Sequence, residues 1–388
     1  MNFWTILTYS DLLLFILVAL TVLYLGIFAF TSMFARHSET PKARNQNRFI
    51  IFIPSHKSGK SVEMTVNSIL GQTYPQRLFD VTVIADHEDE ITMFHLAQQP
   101  VTLLTPNYAK SSRTKSLQLA INNLPQFKIY DVVIILDAGD VVEPEFLEQM
   151  NDAYESAGTK AIQAHKVSLN RDTVSARLSS IFEEINNSIF RRGHISVGLS
   201  AAMASSGMVF NFDWFKQQIL AAKINWADKE LEALLLRHHI YVDYFDKIMV
   251  YGEKARQAEE FNRQHRNWIL TQWRAILRNL RHLPIAILQK HYDMIDKLLQ
   301  WILIPRMLMM VIILLMCIIM PFIYFTMAIK WWALFAIVLF VFAMATPNYL
   351  VDEKWDSTFF KIPFVLMSSI LHKFKWGRKF IEAVNLKH

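Results

Sequence analysis

Three long apolar runs without any charged residue constrain this chain more than any other feature. They cover residues 12–35, 307–329 and 331–351. Each run is longer than the ~20 residues that an α-helix needs to cross a bilayer. The first run is too long for the core of a signal peptide, and no small-residue cleavage site follows it. The sequence therefore predicts three transmembrane helices, the last two forming a hairpin around Lys330.

The charges that flank these runs predict how the chain crosses the membrane. Asp11 is the only charged residue before the first run. Cations follow the first run, precede the second and follow the third: Arg36, Lys42, Arg44, Arg48, Arg274, Arg278, Arg281, Lys290, Arg306, Lys373, Lys375, Arg378 and Lys379. Because Lys and Arg favour the cytoplasmic side, the central region and the C-terminal tail should both be cytoplasmic. These cations account for the net charge of +6 without a nucleic-acid partner. We expect an integral protein of a bacterial inner membrane.

The region between the first two runs alternates between strand and helix patterns. Strands are predicted at residues 48–54, 79–86, 101–104 and 132–136, with helices between them at 62–70, 91–98 and 114–124. Such alternation is typical of right-handed crossovers and a mostly parallel sheet. The single cysteine, Cys317, excludes an internal disulfide and a cysteine-rich metal site. The histidines have no zinc-ligand spacing, so we assign them no zinc site.

Carboxylates end two of the predicted strands. Asp86 closes one strand, and Asp137 and Asp140 follow another. Open α/β sheets bind ligands outside the carboxyl ends of their strands. Carboxylates there suit a divalent cation that carries phosphates, although a strand followed by a plain acidic turn explains Asp137 and Asp140 equally well.

Further motifs follow these in a fixed order. Along the chain come Pro54, the segment S-I-L-G-Q-T-Y-P at 68–75, V-I-A-D ending at Asp86, K-S-L-Q from Lys115, D-A-G-D at 137–140, S-G-M around Gly207, D-K-E-L-E from Asp228, and Q-H-R-N-W at 264–268. This order resembles the membrane-bound, inverting family-2 glycosyltransferases with the GT-A fold. Cellulose, hyaluronan and poly-N-acetylglucosamine synthases are the members that it resembles most closely. The resemblance covers nearly the whole chain.

The resemblance implies an α/β fold with a Rossmann-like, mostly parallel sheet, three transmembrane helices and interfacial helices. Residues 1–40 would hold the first transmembrane helix, and 41–267 the cytosolic GT-A domain. Residues 268–304 would form amphipathic interfacial helices, 305–351 a transmembrane hairpin, and 352–388 a basic tail. The amphipathic helix that starts near Trp268 could instead dock on the soluble domain.

The resemblance also implies roles for single residues. Asp228 would be the catalytic base, although a simple charge at a helix start is the alternative. The expected nucleotide-binding residues are Pro54, Asp86, Lys115 and Asp137. Those expected at the acceptor and the diphosphate are Gly207, Gln264, Arg266 and Trp268, the last of which could instead anchor the membrane interface. Asp137 and Asp140 would hold Mg²⁺ or Mn²⁺.

Several positions depart from the family's motifs. Gly139 replaces the second aspartate of D-x-D, Asn267 the arginine of Q-x-x-R-W, Ala227 the glutamate before the base, and Gln118 the asparagine of K-A-L-N. Residues 56–59 lack the usual acidic residue. These departures motivate one hypothesis, a catalytically weakened homologue that acts as the partner subunit of another synthase.

The motif order and the flanking apolar runs motivate the other hypothesis. It is a membrane enzyme that uses a nucleotide sugar, with UDP the expected nucleotide, and a glycan or lipid acceptor. The enzyme itself could form homo-oligomers.

Overall fold

The computed structural model describes residues 3–35, 40–106, 108, 112–222, 228–254 and 270–350. Its strands are β1 (Phe49–His56), β2 (Phe79–Asp86), β3 (Thr102–Leu104), β4 (Val132–Ile135), β5 (Asp140–Val142), β6 (Ala161–Ser168), β7 (Met208–Asn211) and β8 (Val242–Gly252). Its first nine helices are α1 (Phe3–Ser32), α2 (Lys60–Leu70), α3 (Glu90–Ala97), α4 (Arg113–Asn122), α5 (Phe146–Ala157), α6 (Val174–Asn186), α7 (Gly193–Ile195), α8 (Phe212–Ala221) and α9 (Asp228–Arg237). The remaining helices are α10 (270–279), α11 (Leu283–Leu288), α12 (Tyr292–Ile302), α13 (Arg306–Ile323) and α14 (Phe325–Ala345).

All of the described strands form one sheet in the order β3-β2-β1-β4-β7-β6-β8-β5. The pairs β1–β2, β1–β4, β2–β3 and β6–β8 are parallel, and β4–β7, β6–β7 and β5–β8 are antiparallel. The predicted α/β fold with a mostly parallel sheet is thereby confirmed. Phe52 of β1 lies opposite both Thr82 and Ile135, so β1, β2 and β4 end at one edge.

Helices cover both faces of this sheet, which explains why its central strands are apolar throughout. Ile51 and Ile53 point to one face and pack with side chains of α2 and α5. Ile50 and Phe52 point to the other face and pack with side chains of α4, α8 and α9. Burial on both sides leaves the strand ends as the places where polar groups reach solvent.

Within the described chain, three helices are long and apolar enough to cross a membrane: α1, α13 and α14. The predicted hairpin exists, but its turn lies at Tyr324 rather than at Lys330. Pro321 has no N–H to continue the helical ladder, and α13 ends two residues later. Lys330 instead lies inside α14 and pairs with Asp11 of α1, which also accepts a hydrogen bond from Trp331 Nε1 at 2.8 Å.

The amphipathic helix α10 both docks and faces outward. Ala275 and Ile276 are buried with Leu236 of α9 and with side chains of α11 and α12. Other apolar residues of α10 are exposed, among them Trp273 and Leu277. The docking alternative therefore holds for one face of α10, and the opposite face is left free for a bilayer surface.

Candidate active site

The strand ends bring the predicted acidic residues to one edge of the sheet. Asp86 is the last residue of β2, and Asp137 lies just beyond β4, with the end of β1 between these two strands. Pro54 belongs to β1 and lies opposite Ile84 in β2, next to this edge. The edge therefore collects groups from separate parts of the chain, as a binding site at such a sheet requires.

Two histidines surround Asp86. Its carboxylate lies 3.0 Å from Nδ1 of His56 and 2.5 Å from Nδ1 of His87. Ligand atoms of the three residues lie within 4.8 Å of one another, so this group could hold a metal ion. Sequence spacing missed the group because His56 ends β1 whereas His87 follows β2, and only the pairing of these two strands brings the histidines together.

Two cations and a serine hold Asp137. Arg113 Nη2 lies 3.0 Å from its Oδ1, and Lys166 Nζ lies 3.6 Å from its Oδ2. The backbone N–H of Asp137 donates to Ser206 Oγ at 3.0 Å. Burial raises the pKa of Asp137, but the two cations lower it more, so it lies below its usual value. Asp137 is therefore ionised at neutral pH.

Asp140 turns back toward the same lysine. Gly139 has φ +96°, a conformation that favours glycine, and its N–H donates to Thr65 Oγ1 at 2.9 Å. This turn directs Asp140 inward, where its Oδ2 lies 3.2 Å from Lys166 Nζ. A Cβ at Gly252 would lie only 2.6 Å from Asp140 Oδ1, so a side chain there would force Asp140 to shift.

Asp140 and Lys166 lie within ion-pair distance of each other, and burial raises the pKa of Asp140 above its usual value. The charge of Asp137 adds to this effect, while Lys166 opposes both. Burial lowers the pKa of Lys166, but the surrounding carboxylates raise it further, above its usual range. Lys166 therefore carries its proton at neutral pH, and its ammonium lies 3.2 Å from Oδ2 of Asp140.

This arrangement does not fit a divalent cation between the two aspartates. An Mg²⁺ or Mn²⁺ ion would need carboxylate oxygens as ligands at ~2 Å. The Oδ2 atoms of Asp137 and Asp140 both face Lys166 Nζ, and Oδ1 of Asp137 faces Arg113. A metal bound there would have to displace an ammonium that is already paired. The metal expected at Asp137 and Asp140 stays a prediction.

Lys115 lies two residues after Arg113, in the first turn of α4. The Ser112 side chain caps this helix by accepting a hydrogen bond from the Lys115 N–H. The side chain of Lys115 is exposed, and its Nζ lies 5.4 Å from the centre of the Tyr108 ring. The family motif indicates Lys115 and not Arg113, although both follow the same cap.

Residues 198–207 form a loop of mostly small residues before β7, and buried polar side chains fix this loop. Gln163 Nε2 donates to the carbonyl oxygen of Ser206 at 2.9 Å, and its Oε1 accepts from Ala204 N–H at 2.8 Å. Gly207 has φ +70°, and its N–H donates to the Ile135 carbonyl at 3.0 Å, which ties the loop to β4. The loop therefore supports Asp137 directly.

Glu232 connects the same loop to α9. Its carboxylate accepts a hydrogen bond from Met203 N–H at 2.7 Å and lies 3.1 Å from Lys229 Nζ. Burial raises the pKa of Glu232, but Lys229 and Lys297 lower it more, so it lies below its usual value. Glu232 lies one helical turn after Asp228, and it fixes the helix on which the predicted base begins.

Four predicted site residues lie wholly or partly outside the described structure. The backbone of Asp228 starts α9, as predicted, but its side chain is outside the described part. Gln264, Arg266 and Trp268 fall within residues 255–269, which are also outside it. The roles assigned to these four residues remain predictions.

Comparisons with known proteins address the family. The model of the glycosyltransferase like family 2 matches residues 46–271. The mannosyltransferase PcManGT from Pyrobaculum calidifontis, in complex with GDP-Man and Mn²⁺, superposes with a TM-score of 0.52 at 11% identity, covering 84% of this chain and 98% of that one. TarS 1–349 of S. aureus gives a TM-score of 0.40 at 13% identity, covering 60% and 65%.

The same TarS fragment in complex with UDP-GlcNAc gives a TM-score of 0.38 at 15% identity, covering 59% of this chain and 66% of that one. No curated protein matches the sequence significantly. At 11% identity the likeness to PcManGT concerns the fold alone, and that fold is GT-A. The family match spans more than half of the chain. This protein therefore belongs to glycosyltransferase like family 2 and is a glycosyltransferase that transfers a sugar from a nucleotide sugar.

Proposed function

We propose that this protein transfers a sugar from a UDP-sugar, with inversion at the anomeric carbon, to a glycan or lipid-linked acceptor at a membrane surface. The observation that supports this proposal best is the shared sheet edge. Asp86 lies there at the end of β2, and Asp137 lies there beside two cations. Asp86 would contact the uracil base of the nucleotide. The diphosphate would bind beside Asp137, where Arg113 and Lys166 lie.

The chemistry would be a single displacement. Asp228 would take the proton from the acceptor hydroxyl as that oxygen attacks. Its place at the start of α9 favours the ionised form that a base needs. Arg113 and Lys115 lie near the start of α4, where they would stabilise the negative charge that develops on the leaving diphosphate.

The family resemblance implies which residues would form the acceptor side of the site. Gly207 permits close approach of the loop, and Gln264, Arg266 and Trp268 would contact the acceptor end and the diphosphate. The exposed apolar side chains of α10 would rest on the bilayer and bring the site to a membrane-bound acceptor. We place the catalytic domain on the cytoplasmic side of a bacterial inner membrane, with the chain divided at residues 40, 267, 304 and 351.

The test is sugar transfer by the full chain, purified in detergent, from a panel of UDP-sugars. Mass spectrometry would follow both released UDP and the glycosylated product, and NMR of the product would report the anomeric configuration. Asp228→Asn should lower turnover by about 10²–10⁴-fold, since it removes a general base. Asp213→Asn is the matched control, because Asp213 is an exposed carboxylate in the first turn of α8.

The outcomes separate the proposal from its alternative. Turnover in Asp228→Asn equal to that of the unaltered chain would reject Asp228 as the base. UDP binding without transfer from any donor would instead favour a partner subunit of another synthase. A product that retains the donor configuration would reject the single displacement.

A further inference from the structure

Two cationic side chains lie beside the carboxyl groups of the altered D-x-D motif at residues 137–140. Arg113 lies 3.0 Å from Oδ1 of Asp137, and Lys166 lies 3.6 Å from its Oδ2 and 3.2 Å from Oδ2 of Asp140. Arg113 Nη2 also donates to the carbonyl oxygen of Ser205, and Lys166 Nζ donates to the Oγ of the same residue at 3.2 Å. Ser205 therefore holds both cations in one arrangement.

Lys166 is built into this position rather than solvated. Its side chain is only 12% exposed. Lys166 belongs to β6 and lies opposite Val250, near the end of β8. A Cβ on Gly252 would lie 2.9 Å from Lys166 Cε, so the absence of a side chain there makes room for the lysine. A lysine is buried to this extent only when it is paired.

The two carboxyl groups of the altered motif both face cationic side chains. Asp137 lies beside Arg113 and Lys166, and Asp140 lies beside Lys166. We propose that Arg113 and Lys166 together take the place of a divalent cation at this edge, so that the nucleoside diphosphate of the donor binds without metal. This inference rests on the proposed function for its ligand, but not for its cations.

The altered motif is consistent with this replacement. Gly139 stands where the family has its second aspartate, which removes one carboxylate from the usual position. Asp140 is buried against Lys166 instead of facing solvent. Because both groups are largely shielded from water, exchanging the lysine for a hydrated metal ion would require the site to reopen and the ion to lose part of its water shell.

The first experiment needs no nucleotide. Mn²⁺ would be titrated into the full chain in detergent and free Mn²⁺ followed by electron paramagnetic resonance. We count only the Mn²⁺ site that Asp140→Asn removes, since His56, Asp86 and His87 could bind the ion separately. The unaltered chain should have no such site, whereas Lys166→Met should gain one. An Asp140-dependent site in the unaltered chain would overturn the proposal.

The second experiment measures UDP binding by calorimetry in EDTA and in Mn²⁺. The unaltered chain should bind equally well in both. Lys166→Met should bind about tenfold or more weakly in EDTA, as expected on loss of one charged contact, and Mn²⁺ should restore part of the affinity. Lys166→Arg keeps the charge, so this variant should still bind UDP in EDTA. Lys247→Met is the control, because Lys247 is an exposed lysine of β8.

The two failures are distinguishable. Loss of UDP binding by the unaltered chain in EDTA, with recovery in Mn²⁺, would overturn the cation replacement and leave the proposed function standing. If the unaltered chain binds no UDP in either solution, the proposed donor is wrong. The Mn²⁺ titration then still decides whether Lys166 excludes a metal from Asp140.

Discussion

The buried carboxylate of Glu232 offers the sharpest test of how the predicted base is positioned. Its side chain is 1% exposed and links α9 to the loop before β7 through Met203. Lys297 of α12 is fully buried beside it, and its Nζ lies 3.4 Å from the Ser200 carbonyl oxygen. Burial lowers the pKa of Lys297, and this outweighs the opposing effect of Glu232.

We expect Glu232→Gln to cost about 3 kcal/mol in the free energy of unfolding. Removing one partner of a buried ion pair costs ~3–5 kcal/mol, because the other charge is left uncompensated. The lower end applies here because the glutamine oxygen can still accept from Met203 and because Lys229, the ion-pair partner at 3.1 Å, keeps some contact with solvent at 12% exposure. At ~2–4 °C per kcal/mol, Tm should fall by about 6–12 °C.

Thermal unfolding of the full chain in detergent is the assay, with a double-mutant cycle as its core. Lys229→Met removes the charge that lies 3.1 Å from the Glu232 carboxylate, so the double variant should recover part of the loss caused by Glu232→Gln. Glu148→Gln is the control, since Glu148 is exposed and pairs with Lys42 only at 3.9 Å, a type of contact that contributes ~0–1 kcal/mol. Additive effects of the two single variants, or a Glu232→Gln variant as stable as the control, would refute the reasoning.

Three further perturbations test other parts of the molecule. Gly252→Ala places a Cβ 2.6 Å from Asp140 Oδ1, so we expect at least an approximately tenfold loss of UDP affinity by calorimetry; unchanged affinity would contradict the packing. Burial raises the pKa of Glu183, but neighbouring cations lower it below its usual 4.5, so its stabilising effect is present above pH 4.5 and lost as the pH falls through the lower folded value. Tm of the unaltered chain should therefore fall more than that of Glu183→Gln between about pH 6 and about pH 3, and parallel curves would argue against this. Lys330→Met should cost about 3 kcal/mol, because Asp11 would keep its hydrogen bond from Trp331 but lose the cation that pairs with it, and adding Asp11→Asn should recover part of this loss in thermal unfolding.

The sequence was sufficient to predict the strand ends that build the site. Runs of β-branched residues buried on both faces, such as β2 and β4, are recognisable without a structure, and parallel pairing follows from their alternation with helices. The edge shared by Asp86 and Asp137 was predictable for this reason. The three long apolar helices were predictable because each charge-free run exceeds the ~20 residues that a helix needs to cross a bilayer.

The second half of the sheet was not predictable in the same way. β5 and β7 are three and four residues long and pair antiparallel with distant strands, so neither has a periodic pattern of its own. β8 sits beside β6, and only this pairing brings Gly252 to Asp140. Lys166 carries no motif that marks it in the sequence, and its importance appears only when its position between two carboxylates is known.

The position of Asp140 explains how a displaced carboxylate can still belong to the site. The positive φ of Gly139 reverses the chain directly after Asp137, and Thr65 secures that turn by accepting from the Gly139 N–H. An aspartate at position 139 would have to adopt φ +96°, which L side chains rarely do, so restoring the usual motif by that one change would strain the backbone. The turn carries Asp140 inward to the Lys166 ammonium instead of outward to a solvated ion. Gly139 and Lys166 thus act on Asp140 from two sides, because the glycine permits the turn and the lysine meets the carboxyl group that the turn brings inward.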